Sequence, residues 1–208
     1  MKGPDCLRSY LRGWPASCCR LGREDRAAQL VEFAVALPLL VVFVVGIFDF
    51  SSAFTLKQKL TNAARDAARV AAADPASDLG NALPVSVIDA FQSVDHYLIT
   101  NHLNDCGAVS SGVSGLTWTY KGTSSGCPTG GLTITINRGY YFPATTGTPP
   151  AVVDCTPKAT GAQTAVIATC VSIQYAYQWR FGRAASLLGR SVSLPASISA
   201  AAVAVNEN

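Results

Sequence analysis

From Ala27 to Ala73 the polar and apolar positions form one helical unit, apolar on every side in its first half and amphipathic in its second. Glu32 is the only charge between Leu30 and Phe48, and Asp49 the only one between Phe33 and Leu56. Either window supplies the roughly 20 apolar residues that a helix needs to cross a hydrocarbon core. Beyond it, Leu60, Ala64, Ala67 and Ala71 recur at helical spacing, with Lys57, Lys59, Arg65, Asp66 and Arg69 on the other faces. Asp74-Pro75 should stop this helix, because the residue before a proline is pushed out of the helical region. A second helix is predicted from Pro84, with an apolar stripe of Val87, Phe91, Val94 and Leu98, ending near Asn104 to Gly107.

After Gly107 the period changes to two. Leu116, Trp118 and Tyr120 alternate with Thr117, Thr119 and Lys121, and Leu132, Ile134 and Ile136 with Thr133, Thr135 and Asn137. The longest alternation runs Val171, Ile173, Tyr175, Tyr177, Trp179 and Phe181, and a last Ala/Ser/Val-rich strand is predicted from Val192 to about Val205. Alternation of this kind implies a sheet with one buried face. The predicted fold is α+β: a long N-terminal transmembrane helix continuing into an exported domain, with a second helix and an antiparallel sheet of about four strands. The Gly/Ser/Thr/Pro-rich stretches 110–115, 122–131 and 145–161 are expected as loops. The expected organisation is a cytoplasmic leader (1–26), the helix (27–74) and the exported domain (75–208), with residues 1–23 a flexible leader or an over-long start.

Composition narrows the class. Of 208 residues, 49% are apolar and 14% charged, which excludes a disordered chain. Lys2, Arg8, Arg12, Arg20, Arg23 and Arg26 precede the span, which favours a cytoplasmic N-terminus. The apolar run is longer than a secretory signal core, and Pro38 and Asp49 are unusual within one, so a signal anchor is expected. The basic residues form no aromatic-interleaved patch, so no nucleic-acid partner is expected. Cys106, Cys127, Cys155 and Cys170 follow the span, while Cys6, Cys18 and Cys19 precede it. Four cysteines in an oxidising space suggest two disulfides with three possible connectivities, of which the sequential pairing Cys106–Cys127 and Cys155–Cys170 closes the shortest loops.

The run Leu30-Val31-Glu32-Phe33-Ala34-Val35-Ala36-Leu37-Pro38, the apolar stretch to Asp49-Phe50, and Leu60-Thr61-Asn62-Ala63-Ala64-Arg65-Asp66-Ala67-Ala68-Arg69-Val70-Ala71-Ala72 together resemble the TadE-like family. These are pseudopilin-type proteins of tight-adherence (Flp) pilus systems. The resemblance implies a pseudopilin or minor pilin anchored by a single pass in a bacterial inner membrane, with the bilayer, pilins, pseudopilins and platform proteins as partners. It also implies prepilin peptidase cleavage between Ala27 and Ala28, although Ala27 stands where such sites usually carry glycine. Glu32 would then be the fifth mature residue, a position that pairs with a subunit's N-terminal amine. Glu32, Phe33 and Asp49 are the candidate docking residues within the membrane.

Glu32 and Asp49 lie 17 residues apart, about 25 Å along a helix at roughly 1.5 Å per residue. Both could equally mark the hydrocarbon boundaries. Pro38 removes one backbone hydrogen bond inside the run and is a candidate kink. No catalytic motif, metal-ligand spacing or cofactor fingerprint occurs, and His96 and His102, six apart, do not share a helix face. A non-enzymatic role is expected. The alternative to pilus assembly is a membrane-tethered binding or adhesin domain that enters no filament.

Overall fold

The computed structural model describes residues 21–143, 154–156, 165–186 and 193–207. Cys6, Cys18, Cys19 and the leader through Arg20 lie outside the described residues. The elements are α1 (Leu21–Ala73), a 3-10 turn (Ala76–Asp78), α2 (Val85–Thr100), β1 (Val109–Ser114), β2 (Thr117–Gly122), β3 (Leu132–Pro143), β4 (Ala165–Ala176), α3 (Phe181–Ser186) and β5 (Ser197–Val205). The strands form one antiparallel sheet in the order β1-β2-β3-β4-β5. The class is α+β. The chain divides into two compact units inside α1, one ending at Val44 and the other running from Val45 to Asn208.

In the first unit, α1 continues through Pro38 without a break in its helical assignment. Its large side chains are exposed, Leu30 at 70% and Phe43 at 65%. Bare leucine and phenylalanine along a helix this long are what a span in lipid requires, and the helix is long and apolar enough to cross a membrane.

The second unit is built on small residues. Leu60, Ala63, Ala64, Ala67, Ala68 and Ala71 of α1 are fully buried. They share a core with Val87, Val94 and Leu98 of α2 and with Trp118, Ile134, Ile136, Val171 and Ile173 of the sheet. Alanine is the best helix former, and its short side chain brings the helix close to the sheet. Each buried Leu, Ile or Val there stabilises by about 1.5–3 kcal/mol. The Trp118 indole satisfies its N–H on the Ala82 carbonyl at 2.9 Å.

The Asp78 carboxylate starts α2 by accepting the Val85 N–H at 2.6 Å, a favourable place for negative charge. The helix ends at Thr100, earlier than the sequence pattern suggests, because His102 adopts a left-handed φ of 57°. Its N–H then bonds the Ile99 carbonyl (3.0 Å) and the Leu103 N–H bonds the Leu98 carbonyl (2.9 Å), which closes the helix as a Schellman motif. Histidine carries a steric cost there that glycine does not. His102→Gly is expected to raise stability by about 1 kcal/mol, read by thermal denaturation of the detergent-solubilised chain; an unchanged or lower midpoint would refute the cap assignment.

The strands differ from the sequence expectation in three places. Residues 110–115, expected as a loop, lie mostly in β1, an exposed edge strand that becomes the fifth of the sheet. Serine and glycine mask it in the pattern, since all six of its residues are exposed and it has no apolar face to alternate. The long alternation enters β4 earlier, at Ala165, and leaves the sheet after Ala176. The last strand begins at Ser197, and Val192 lies outside the described residues.

Two disulfides close loops at the sheet. Cys106–Cys127 has a Cα separation of 5.3 Å and Cys155–Cys170 one of 5.4 Å. The first belongs to the main core; the second packs with Tyr140 and Ala168 in a separate small cluster. Each restricts the unfolded chain by about 3 kcal/mol for loops of this order.

Candidate functional site

Asp49 is only 5% exposed although it stands in the apolar run of α1. Its surroundings come from the chain just past β4. There the period-two pattern continues in the sequence, but the β4–β5 ladder ends at the Ala176–Ser197 pair, with one further backbone bond beyond it. The backbone turns away at Tyr177, whose N–H bonds the Ala196 carbonyl at 3.0 Å. The turn ends at Asp49. Oδ1 accepts the Tyr177 hydroxyl at 3.0 Å, and Oδ2 accepts the Arg180 N–H at 2.8 Å and the Phe181 N–H at 2.9 Å. The carboxylate thereby caps the first turn of α3, where orphan N–H groups and the helix dipole favour an anion. Burial, and then the hydrogen bond to Asp49, raise the Tyr177 phenol above its usual range, so it stays protonated and donates.

Aromatic rings close around this carboxylate. Phe50 lies with its ring centre 5.2 Å from Trp179 and 6.0 Å from Phe181, and Tyr177 meets Trp179 edge-on at 4.9 Å. The Trp179 indole donates to the Pro195 carbonyl at 2.6 Å. Gly46 makes room for Phe181, since a Cβ there would sit 3.0 Å from its ring. A glycine in an otherwise Val/Leu/Phe run is the one sequence signal of this contact.

A second polar centre lies at the C-terminal end of α1. The pairing of β3 with β4 shifts between Asn137 and Tyr140. Just there, period two carries Arg138, 1% exposed, on the same face of β3 as Leu132, Ile134 and Ile136, where it reaches the last turn of α1. Its guanidinium donates to the Ala71 carbonyl, to Thr169 Oγ1 at 2.9 Å and to the Asp74 carbonyl at 3.0 Å. Burial lowers the Arg138 pKa, while Asp74 and Asp78 act to raise it. The last turn of α1 has no basic residue of its own, so the cation that suits a helix C-terminus is supplied from 64 residues further along, between Asp74 and Arg138. Sequence reasoning missed this residue: the apolar alternation stops at Ile136, and an arginine two residues on reads as the end of the strand although it keeps the parity of the buried face.

Of the residues singled out in the sequence, Asp49 is gathered with the turn after β4, its oxygens engaged within the chain. Glu32 and Phe33 are exposed on α1, Phe33 at 62%. Ala28 is exposed, and the side chain of Ala27 lies outside the described ones. Among the described residues no three His, Cys, Asp or Glu side chains gather as a metal site.

With this geometry in place, comparison with known proteins adds one finding. Residues 27–69 match the TadE-like protein family. The match covers about a fifth of the chain, from the start of the apolar run to Arg69 in the alanine-rich half of α1. The sheet and α2 fall outside it. No curated protein and no solved structure matches the chain.

Proposed function

We propose that this protein is a single-pass membrane subunit of a tight-adherence pilus system, acting as a pseudopilin or minor pilin. The observation that carries this reading is the TadE-like match, which lies on α1 alone. The family is pilus-associated and structural. The span holds the subunit in the membrane with its N-terminus cytoplasmic, and the sheet unit on the far side offers a surface to pilins, pseudopilins or platform proteins. The two disulfides suit an oxidising compartment on that side. The role is structural, without a chemical step.

Within the span, Glu32 is the docking residue that this reading requires. A carboxylate exposed on a lipid-facing helix is costly unless a cation meets it, and a neighbouring subunit's terminal amine is such a cation. Glu32→Gln is expected to insert normally, since removing a charge eases insertion, and to reduce co-purification with pilus components about tenfold or more, as loss of one partner of a desolvated pair does. Equal insertion with undiminished partner recovery and normal piliation would return Glu32 to a boundary marker and remove the docking role.

A further inference from the structure

The turn that Asp49 holds packs its rings on α1 yet leaves part of their surface, and its cations, uncovered. Tyr177, Trp179 and Phe181 are half-buried, and Arg180 and Arg183 are exposed. Beside them on α1, Phe48 and Phe50 are exposed at 71% and 50%. Between this turn and α1 opens a cleft of about 510 Å³, lined by Phe48, Asp49 and Ser52 on the helix and by Tyr177, Gln178 and the exposed Arg180 on the turn. The depth of this assembly follows from the helix itself. The hydrocarbon core takes about 20 helical residues, so a span entered near Leu30 ends near Asp49 and Phe50. Tyrosine and tryptophan concentrate at that level of a bilayer, where the ring is apolar and its polar tip is wet.

The geometry points to a peripheral membrane contact: the turn 177–183 lies in the phospholipid headgroup layer on the C-terminal side of the span, with its rings at the glycerol level and Arg180 on lipid phosphate. The contact rests on the anchoring reading above. Two features choose lipid as the occupant. The rings meet α1 at Phe50, and the cleft beside them has the exposed Phe48 in its wall, at the end of the apolar run. The exposed Arg180 complements the phosphates of a leaflet, where each surface arginine contributes to attraction by anionic lipid. Asp49 then has a role besides capping α3. It holds the turn at the depth where the aromatic side chains are at home, and so fixes the sheet unit's turn against the surface.

The test uses the full chain in phosphatidylcholine vesicles with and without phosphatidylglycerol, and reads tryptophan quenching by a headgroup spin-labelled lipid. Of the three tryptophans, Trp118 is buried in the core and reports little, and Trp14 is replaced by phenylalanine in every sample. The expected result is clear quenching in the otherwise wild-type chain, with most of it lost in Trp179→Phe. Arg180→Gln, whose backbone N–H still reaches Asp49, should lower the preference for anionic lipid about fivefold, the contribution of one surface cation. Quenching unchanged by Trp179→Phe in protein that floats with the vesicles would overturn the headgroup contact and leave anchoring standing. Protein that fails to float would overturn anchoring and the contact together. Quenching that falls as the protein-to-lipid ratio rises would assign the surface to a second copy of the chain and overturn the lipid contact as well.

Discussion

Arg138→Ala is expected to lower the stability of the sheet unit by about 3–5 kcal/mol, the range for removing one partner from a buried charged network. The guanidinium joins three parts of the chain distant in sequence: the Ala71 and Asp74 carbonyls at the end of α1, Thr169 on β4, and the bulge of β3 on which it sits. Alanine leaves those acceptors buried without donors, and each orphaned group costs about 1–3 kcal/mol. It also leaves a cavity where a large side chain was 1% exposed. Chemical denaturation of the solubilised chain measures the loss. Arg138→Lys keeps a charge but not the planar fork that reaches three acceptors at once, so it should recover only part of it. A loss below about 1 kcal/mol for alanine, the size of an ordinary surface substitution, would show that the guanidinium is incidental to the fold.

Asp49→Ala is the second large effect, expected at about 3 kcal/mol. It strips the acceptor from two backbone N–H groups at once and leaves the Tyr177 hydroxyl only the residue-49 carbonyl, at 3.1 Å. Hydrogen bonds to a charged group contribute roughly 1.5–3 kcal/mol each before relaxation. Part of the loss is recoverable, because the freed N–H groups at α3 can turn towards water. The turn should then open locally before the sheet unfolds, as a segment held by few contacts does. Trypsin reads this directly, since Arg180 and Arg183 lie in the released segment and cleavage there should accelerate. Asp49→Asn keeps an oxygen for the two N–H groups, and the Tyr177 hydroxyl can accept from the amide, so its cleavage should stay near wild type. Equal cleavage of wild type and Asp49→Ala would remove the capping role.

The two outcomes separate what each polar residue does. Arg138 joins the end of α1 to the middle of the sheet, so its loss is felt throughout the second unit. Asp49 joins the middle of α1 to one turn, so its loss is felt first at that turn.

Much of this protein can be read in its sequence because it depends on local periodicity. The apolar run of α1, the alanine positions of its second half, the stop before Asp74-Pro75, the stripe Val87, Val94 and Leu98, and the alternation in β2, β3 and β4 each follow from a repeat of 3.6 or 2 residues. The TadE-like resemblance lies within the same local stretch. The partners of isolated polar residues are not written in any repeat. Asp49 is legible as an anomaly in an apolar run, and its cost in lipid says that it needs a partner. Whether that partner is a headgroup, another subunit or its own chain depends on where a turn about 130 residues later is folded back. Period two places Arg138 on the face of Ile134 and Ile136, but the acceptors that make a buried cation tolerable there belong to the end of α1, 64 residues away. The edge strand β1 exists only because β2 offers it a ladder. Periodicity along the chain determined the elements and the faces they bury; the tertiary structure decided which charges those faces enclose, since that depends on contacts between distant segments that no local pattern encodes.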